Sequence, residues 1–390
     1  MRAALPLSRV KDGKTTMART KRSVTPTLAT GLVAGDQTGD REVVGGVDTH
    51  KDTHTAAVID TAGRMLGHAT FPATGPGYAQ LLDWLGGFGR LGLVGIEGTG
   101  VYGSGLAGYL RGQGVGMVEV DRPDRKARRW AGKSDPVDAE AAARAALAAR
   151  ATGTPKDRDS AVEALRVLRV ARRSGVDQRA DVQRQIKALI VTAPEPLRER
   201  LRGLRDKQLL AVCARLRPDT TRLHEPAEAA KHALRTLAAR HAQLTVEITG
   251  LDAHLTTLVK RINPALLELT GVGVDVAGQL LVTAGGNPDR VRSEAAFAML
   301  CGVAPLPASS GKTQRHRLNR GGDRQANCAL YRVTLSRLRW DPRTRAYAER
   351  RTTEGLSKKE IIRCLKRLIA REIYYVLCPG TITESAPQAA

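Results

Sequence analysis

The chain has 390 residues, of which 62 are Lys or Arg and 39 are Asp or Glu, a formal net charge of +23. That length excludes a peptide hormone or disulfide miniprotein and suggests two or three domains, while the charge points to a polyanionic partner, nucleic acid first. The cations are 15 Lys and 47 Arg, suited to bidentate phosphate contacts, and aromatics at 3% are too scarce for gripping single strands by ring stacking.

Residues 1–40 hold Lys11, Lys14, Arg19, Lys21 and Arg22 among Ser, Thr and Gly and read as a basic flexible extension, with Met17 as an alternative start. Apolar runs from Val43 to Val47, ending at Asp48, and from Thr55 to Ile59, then a third from Arg64 to Phe71, predict two hairpins. A helix near 78–85 precedes a buried strand from Leu91 to Ile96 that delivers Glu97; helix 102–113 and a strand from Val115 to Val120 complete a mixed sheet with helical crossovers. Ser134-Asp135-Pro136-Val137-Asp138 offers a cap and first turn for a helix running to about Arg150, closing an α/β domain over 41–150.

Residues 151–263 carry Val162, Leu165, Leu168, Ile186, Leu189 and Ile190 at helical spacing, cut by Pro194, Pro196, Pro218 and Pro226, and read as a helical hairpin or coiled-coil region. A mostly helical C-terminal domain over 264–378 and a flexible tail over 379–390 follow. Within 311–351, 12 Lys/Arg face 3 Asp/Glu, so this window alone carries +9 of the net charge.

Asp48 and Glu97 each end an apolar strand, where a carboxylate projects from the sheet edge toward a ligand. Asp135 and Asp138 share one face of a helix start, with Cβ atoms about 5 to 6 Å apart. Four converging carboxylates need cations, and two Mg²⁺ or Mn²⁺ ions would serve a phosphodiester reaction. The plain alternative is that Asp48 is a turn residue and Asp135 a cap, and Asp52 and Asp60 are competing acids. His50 and His54 do not read as a ligand pair, because four extended residues span about 13 Å; they belong to the polar end of a hairpin.

Thr270-Gly271-Val272-Gly273 reads either as a helix-hairpin-helix turn, whose Gly271 and Gly273 bring free N–H groups to a DNA phosphate, or as a plain connector. Ser310 lies on a loop beside Lys312, Arg315, Arg317, Arg320 and Arg324, a basic surround for a phosphodiester; it is a nucleophile or a turn former, with Ser309 as runner-up. The five cysteines are odd in number and dispersed with no C-x-x-C pair, which suggests neither a disulfide framework nor a zinc knuckle and fits a reducing cytosol. No apolar run is long enough for a membrane span, and the chain reads as cytoplasmic.

Gly46-Val47-Asp48-Thr49-His50-Lys51, Gly95-Ile96-Glu97-Gly98-Thr99-Gly100 and Lys133-Ser134-Asp135-Pro136-Val137-Asp138-Ala139, followed by Thr270-Gly271-Val272-Gly273, Leu300-Cys301-Gly302-Val303-Ala304-Pro305 and Ser310-Gly311-Lys312, resemble the IS110/IS1111 family of insertion-sequence transposases over roughly 43–378. The resemblance implies an α/β plus α protein. Its parts are a RuvC-like, RNase H-type domain with an Asp-Glu-Asp-Asp set (Asp48, Glu97, Asp135, Asp138) holding divalent metal, a helical coiled-coil arm, and a mostly helical transposase domain with Ser310 as nucleophile. It further implies donor and target DNA, a structured noncoding guide RNA, and a homo-oligomer, dimer or tetramer, whose active site is shared between protomers on the nucleoid. The chain departs from the family at Asn319-Arg320-Gly321-Gly322, where Lys-Arg-Gly-Asn is usual.

Three rivals stand beside this reading. A metal-dependent nuclease or junction resolvase would use the four acids for hydrolysis, with Ser310 only a turn residue. A sugar-kinase or actin-like ATPase would need a second phosphate loop, for which Thr283-Ala284-Gly285-Gly286-Asn287 is misplaced. An inert nucleic-acid binder has no reason to gather four acids under a phosphate backbone.

Overall fold

The structure, a computed structural model, describes residues 41–120, 134–151, 153–311 and 316–379, divided into compact units over 1–153 and 154–390. The expected basic extension and most of the tail lie outside the described residues, as do Lys312 and Arg315.

In the first unit, β1 (Glu42–Thr49), β2 (Thr53–Asp60) and β3 (Met65–Pro72) form an antiparallel meander. After helix α1 (Gly75–Gly86), β4 (Arg90–Glu97) enters beside β1 in parallel; after α2 (Ser104–Gly112), β5 (Met117–Val120) adds in parallel to β4. The five-stranded order is β3-β2-β1-β4-β5, so the central pair β1 and β4 are crossover neighbours. The turn from β2 to β3 is pinned by Asp60, whose carboxylate accepts from the Ala62 and Arg64 amides and from Arg64 Nε at 2.8 Å.

Strand alternation sends successive side chains to opposite faces. Val43, Val47, Val94 and Ile96 pack with Leu81 and Leu85 of α1 and Leu106 and Leu110 of α2. Val44 and Ile59 face the other way and meet Ala143 and Ala146 of α3 (Asp135–Leu147). The result is a sheet covered on both faces, as a parallel pair requires.

Helix α3 lies against backbone. A Cβ on Gly46 would fall inside contact distance of the Ala139 carbonyl oxygen and Ala143 nitrogen, and one on Gly95 would lie 2.5 Å from the Ala142 carbonyl oxygen. Gly46 and Gly95 are register partners on β1 and β4, so together they form a side-chain-free floor for the alanine face of α3.

The second unit begins with α4 (Ala161–Thr192) and, beyond α5 (Glu195–Leu201) and α6 (Asp206–Ala214), returns through α7 (Pro226–Ile262). Contacts of Arg172 with Asp252, Gly175 with Ile248 and Gln178 with Arg240 show that α4 and α7 run antiparallel. Prolines act where the chain must break: Pro194 is the N-cap of α5 and Pro226 opens α7. At one end of the hairpin Val182, Ile186 and Ile190 pack with Leu197, Leu201, Leu209 and Leu234; at the other, Leu165, Leu255 and Val259 join the main core.

That core is completed by α8 (Val274–Ala284), α9 (Glu294–Leu300), α10 (Arg324–Trp340) and α12 (Lys358–Leu377), with α11 (Pro342–Thr353) between the last two. Short strands β6 (Leu306–Pro307) and β7 (His316–Arg317) form the stem of a hairpin between α9 and α10. No helix among the described residues is long and apolar enough to cross a membrane.

Candidate functional site

Three elements of the first unit converge at one sheet edge. Asp48 is the penultimate residue of β1 and Glu97 the last of β4, each one step beyond the register pair Val47 and Ile96. Their Cα atoms are therefore about 4.8 Å apart, the spacing of neighbouring strands. Alternation places Asp48 on the face of Gly46 and Glu97 on the face of Gly95, the face that α3 covers. The strand ends are joined further by Thr49, whose hydroxyl donates to the Glu97 carbonyl at 2.8 Å. The chain then turns away from β4 at Gly98, whose φ of +73° suits glycine and where a Cβ would meet Thr49 Oγ1 at 2.9 Å.

Helix α3 starts over this edge with Ser134 at the N-cap, Pro136 in the first turn and Asp135 and Asp138 as its first-turn acids. Carboxylates there suit the positive end of the helix dipole. Asp138 and Ala142, one turn apart, lie on the sheet-facing side, and Asp138 is 2% exposed. Asp135 is exposed at the mouth, and Asp48 is buried.

His50 sits between them. Its Nδ1 lies 3.7 Å from Asp48 Oδ2 and its Nε2 4.0 Å from Asp135 Oδ1, and ligand atoms of Asp48, His50 and Asp135 all lie within 4.8 Å of one another. Two donors on one small cation are at most roughly 4.5 Å apart, so a few tenths of an ångström of closure fit the set to an ion. Carboxylate oxygens are the donors that Mg²⁺ and Mn²⁺ take, and the imidazole adds a ligand better matched to a transition metal.

The histidines separate as the strand geometry requires. His54 is fully buried on β2 and stacks on Tyr78, with ring centroids 5.6 Å apart, so the two histidines form no ligand pair. Assigning His50 only to the polar end of a hairpin missed its place beside Asp48; no spacing rule links residue 50 to residue 135, and the start of α3 makes the connection. Of the competing acids, Asp60 is bound into its own turn and Asp52 is exposed.

In the second unit, Gly271 has φ +81° and packs on α10, where a Cβ would lie 3.2 Å from Ser336. Gly273 is the exposed N-cap of α8. The helix before this turn is a short 3-10 segment, Pro264–Glu268, rather than the first full helix of a helix-hairpin-helix. Asp275, in the first turn of α8, is ringed by Arg169 at 3.0 Å, Arg332 at 2.7 Å and Arg172 at 3.5 Å. Burial pushes its carboxyl up, but these guanidiniums hold it below the ordinary aspartate range.

Ser309 and Ser310 are exposed in the loop that the β6–β7 stem closes. Arg317, Arg320 and Arg324 line a cavity of about 1350 Å³ together with the 302–305 turn and residues of α11 and α12. The departure at Gly322 has a steric counterpart. Its φ is +83°, and a Cβ there would meet the Leu300 carbonyl oxygen at 2.6 Å.

A sheet with acids at the ends of its central parallel pair, followed by a strongly basic helical unit, belongs to the transposase class: residues 45–193 match a family model for the DEDD domain of IS110, described as "Transposase". Residues 263–349 match a second, described as "Transposase IS116/IS110/IS902 family", and the chain belongs to the IS110 family of transposases. It is 30% identical over 139 residues to the "Insertion element IS110 uncharacterized 43.6 kDa protein" of Streptomyces coelicolor, covering 35% of this chain and 34% of that protein. It is 31% identical over 139 residues to the "Insertion element IS900 uncharacterized 42 kDa protein" of Mycobacterium paratuberculosis, covering 34% and 35%. Each alignment thus spans about a third of the relative's length.

Proposed function

We propose that this protein is a DNA recombinase that moves an insertion sequence, cutting and rejoining donor and target DNA through an acidic metal site and a serine nucleophile. The observation that carries the reading is the meeting of Asp48, His50 and Asp135 within 4.8 Å, at the edge where Glu97 and the start of α3 also arrive. The strand order β3-β2-β1-β4-β5, with acids on the central strands, supports an RNase H-type, RuvC-like domain. The pairing of α4 with α7 supports a helical arm through which protomers form a dimer or tetramer.

Asp48, Glu97, Asp135 and Asp138 would hold two Mg²⁺ or Mn²⁺ ions, which when bound supply charge neutralisation and an activated oxygen at a scissile phosphate. The protein's own part is positioning. Buried Asp48 and Asp138 are fixed by the packed interface of β1 and α3, while exposed Asp135 and His50 face the DNA side. Ser310 attacks phosphorus through its Oγ, breaking a P–O bond and leaving a phosphoserine ester and a free strand hydroxyl; rejoining reverses this transfer, so phosphodiester energy is retained. Gly271 and Gly273 present backbone N–H groups, and Lys312, Arg315, Arg317, Arg320 and Arg324 contact phosphates. A structured noncoding RNA pairs with both DNAs, which accords with few aromatics and a large positive charge, since sequence reading is then delegated to base pairing. The protein acts in the cytoplasm on nucleoid DNA.

The test uses full-length protein, its element's terminal DNA and RNA, and divalent metal. Ser310→Ala is expected to abolish the covalent protein–DNA adduct while nucleic-acid binding persists. Asp48→Asn is expected to abolish divalent-dependent cleavage. Cleavage by Ser310→Ala at the parent's rate would leave a metal nuclease in place of a serine recombinase.

A further inference from the structure

The large cavity of the second unit has an unbalanced charge. Seven Lys/Arg and two acids line it, and of these cations Arg351, Arg363 and Arg367 pair with Glu354, Glu360 and Glu294. Both acids are engaged in holding the fold: Asp323 accepts from the Thr283 hydroxyl at 2.6 Å and from the Gln325 amide at 2.7 Å, capping α10, and Glu360 completes the capping box of α12 while its other oxygen lies 3.6 Å from Arg363. By contrast, Arg317, Arg320 and Arg324 are exposed and make no ion pair among the described residues.

The contribution of α12 is more telling. Lys366 of α12 is half-buried, and its ammonium donates to Asn327 Oδ1 at 2.8 Å. The Asn327 amide is fixed in that orientation because its Nδ2 donates to the Gly302 carbonyl at 2.8 Å and the Cys301 carbonyl at 3.2 Å. Burial and neighbouring Arg363 push Lys366 below the ordinary lysine range. A partly dehydrated ammonium beside a guanidinium, with a neutral amide for company, has no carboxylate partner among the described residues, and an anion in the cavity would provide the counter-charge.

The size and lining narrow the anion. About 1350 Å³ exceeds the range of small-ligand pockets, roughly 300 to 1,000 Å³, and its cations come from both the 317–324 segment and α12. His316 and Tyr347 are the two rings in the lining, so bases have little to stack on. We propose that this cavity is a clamp for a phosphodiester backbone, gripped by Arg317, Arg320 and Arg324 of the 317–324 segment and by Arg363 and Lys366 of α12. The clamp rests on the nucleic-acid reading above, but needs neither the acidic site nor Ser310.

Binding of full-length protein to two probes, a duplex DNA of arbitrary sequence and a hairpin RNA, is measured by fluorescence anisotropy over a range of salt. The double variant Arg363→Gln, Lys366→Gln is expected to bind at least one probe more weakly, with a salt slope shallower by about one for each cation removed. Loss with both probes marks a general backbone clamp, and loss with one identifies its source. Lys366→Arg should retain the parent slope. Because α12 is a core helix, the exposed pair Arg317→Gln, Arg320→Gln provides a second reading free of folding effects and should also flatten the slope. Parent slopes with both probes in either folded double variant overturn the clamp. A Mn²⁺ titration run in parallel reports on the acidic site, so failure of one reading is visible apart from failure of the other.

Discussion

His50 changes the chemistry expected of the acidic edge. Carboxylates alone favour hard cations with little discrimination, whereas an imidazole 3.7 Å from Asp48 and 4.0 Å from Asp135 biases the set toward Mn²⁺ over Mg²⁺. His50→Asn is expected to weaken Mn²⁺ binding by about 10-fold or more and Mg²⁺ binding less, in calorimetric titrations. Equal losses for the two ions would remove the imidazole from the ligand set. Asp48 and Glu97 were legible in the sequence because each ends an apolar run, and the helix start marked Asp135 and Asp138. His50 was not, since a residue just past a strand looks the same whether it faces solvent or a helix 85 positions further along the chain. The distinction depends on where α3 docks, which no local pattern encodes.

At the scale of elements, α3 is placed by an absence of side chains. Gly46 and Gly95 allow the backbone of an alanine-faced helix to rest on β1 and β4, and that close approach sets its first-turn acids over the strand ends. Gly46→Val must displace α3 or distort β1; it should destabilise the first unit by about 1–3 kcal/mol or more and abolish metal binding, read from denaturant melts and Mn²⁺ titration of the full chain. Normal metal affinity in that variant would disprove the cradle. The strands themselves follow from apolar runs bounded by turns, and prolines marked the breaks between α4, α5 and α7. The depth at which α3 packs did not follow, because Gly-Gly in a strand also reads as a bulge or a weak point. In the second unit Asp275 links α8 to Arg169 and Arg172 of α4 and Arg332 of α10. Its pKa is lower folded than unfolded, so its stabilisation is present above the unfolded value of about 3.9 and is lost as pH falls through the folded one. Asp275→Asn should lower the melting temperature at neutral pH and flatten the decline below about pH 4; parallel melting curves for parent and variant would refute this.

Across the molecule, charge and reactivity are distributed unevenly. Of the +23 total, +9 falls in the 41 residues of the 311–351 window, and the cavity that this window helps to line gathers cations from segments on either side of α10. All five cysteines are free; Cys328 is exposed, whereas Cys213, Cys301 and Cys378 are buried, with burial pushing their thiols up and Asp323 adding to the effect at Cys301. Native alkylation followed by mass spectrometry should modify Cys328 first and leave those three intact until denaturant is added. Early labelling of Cys301 would contradict its burial in the main core of the second unit. Composition pointed to a polyanion binder, and within the second unit Arg317, Arg320 and Arg324 are left without an ion pair among the described residues. The parallel alignment of β1 with β4 also governs when the acidic edge comes into being during synthesis. Ninety positions separate Asp48 from Asp138, so at about 5–20 residues per second the ribosome adds the last of the four acids roughly 5 to 18 seconds after the first. A nascent chain cannot assemble the whole set until most of the first unit has been made, and a message interrupted before α3 yields a product without a complete set.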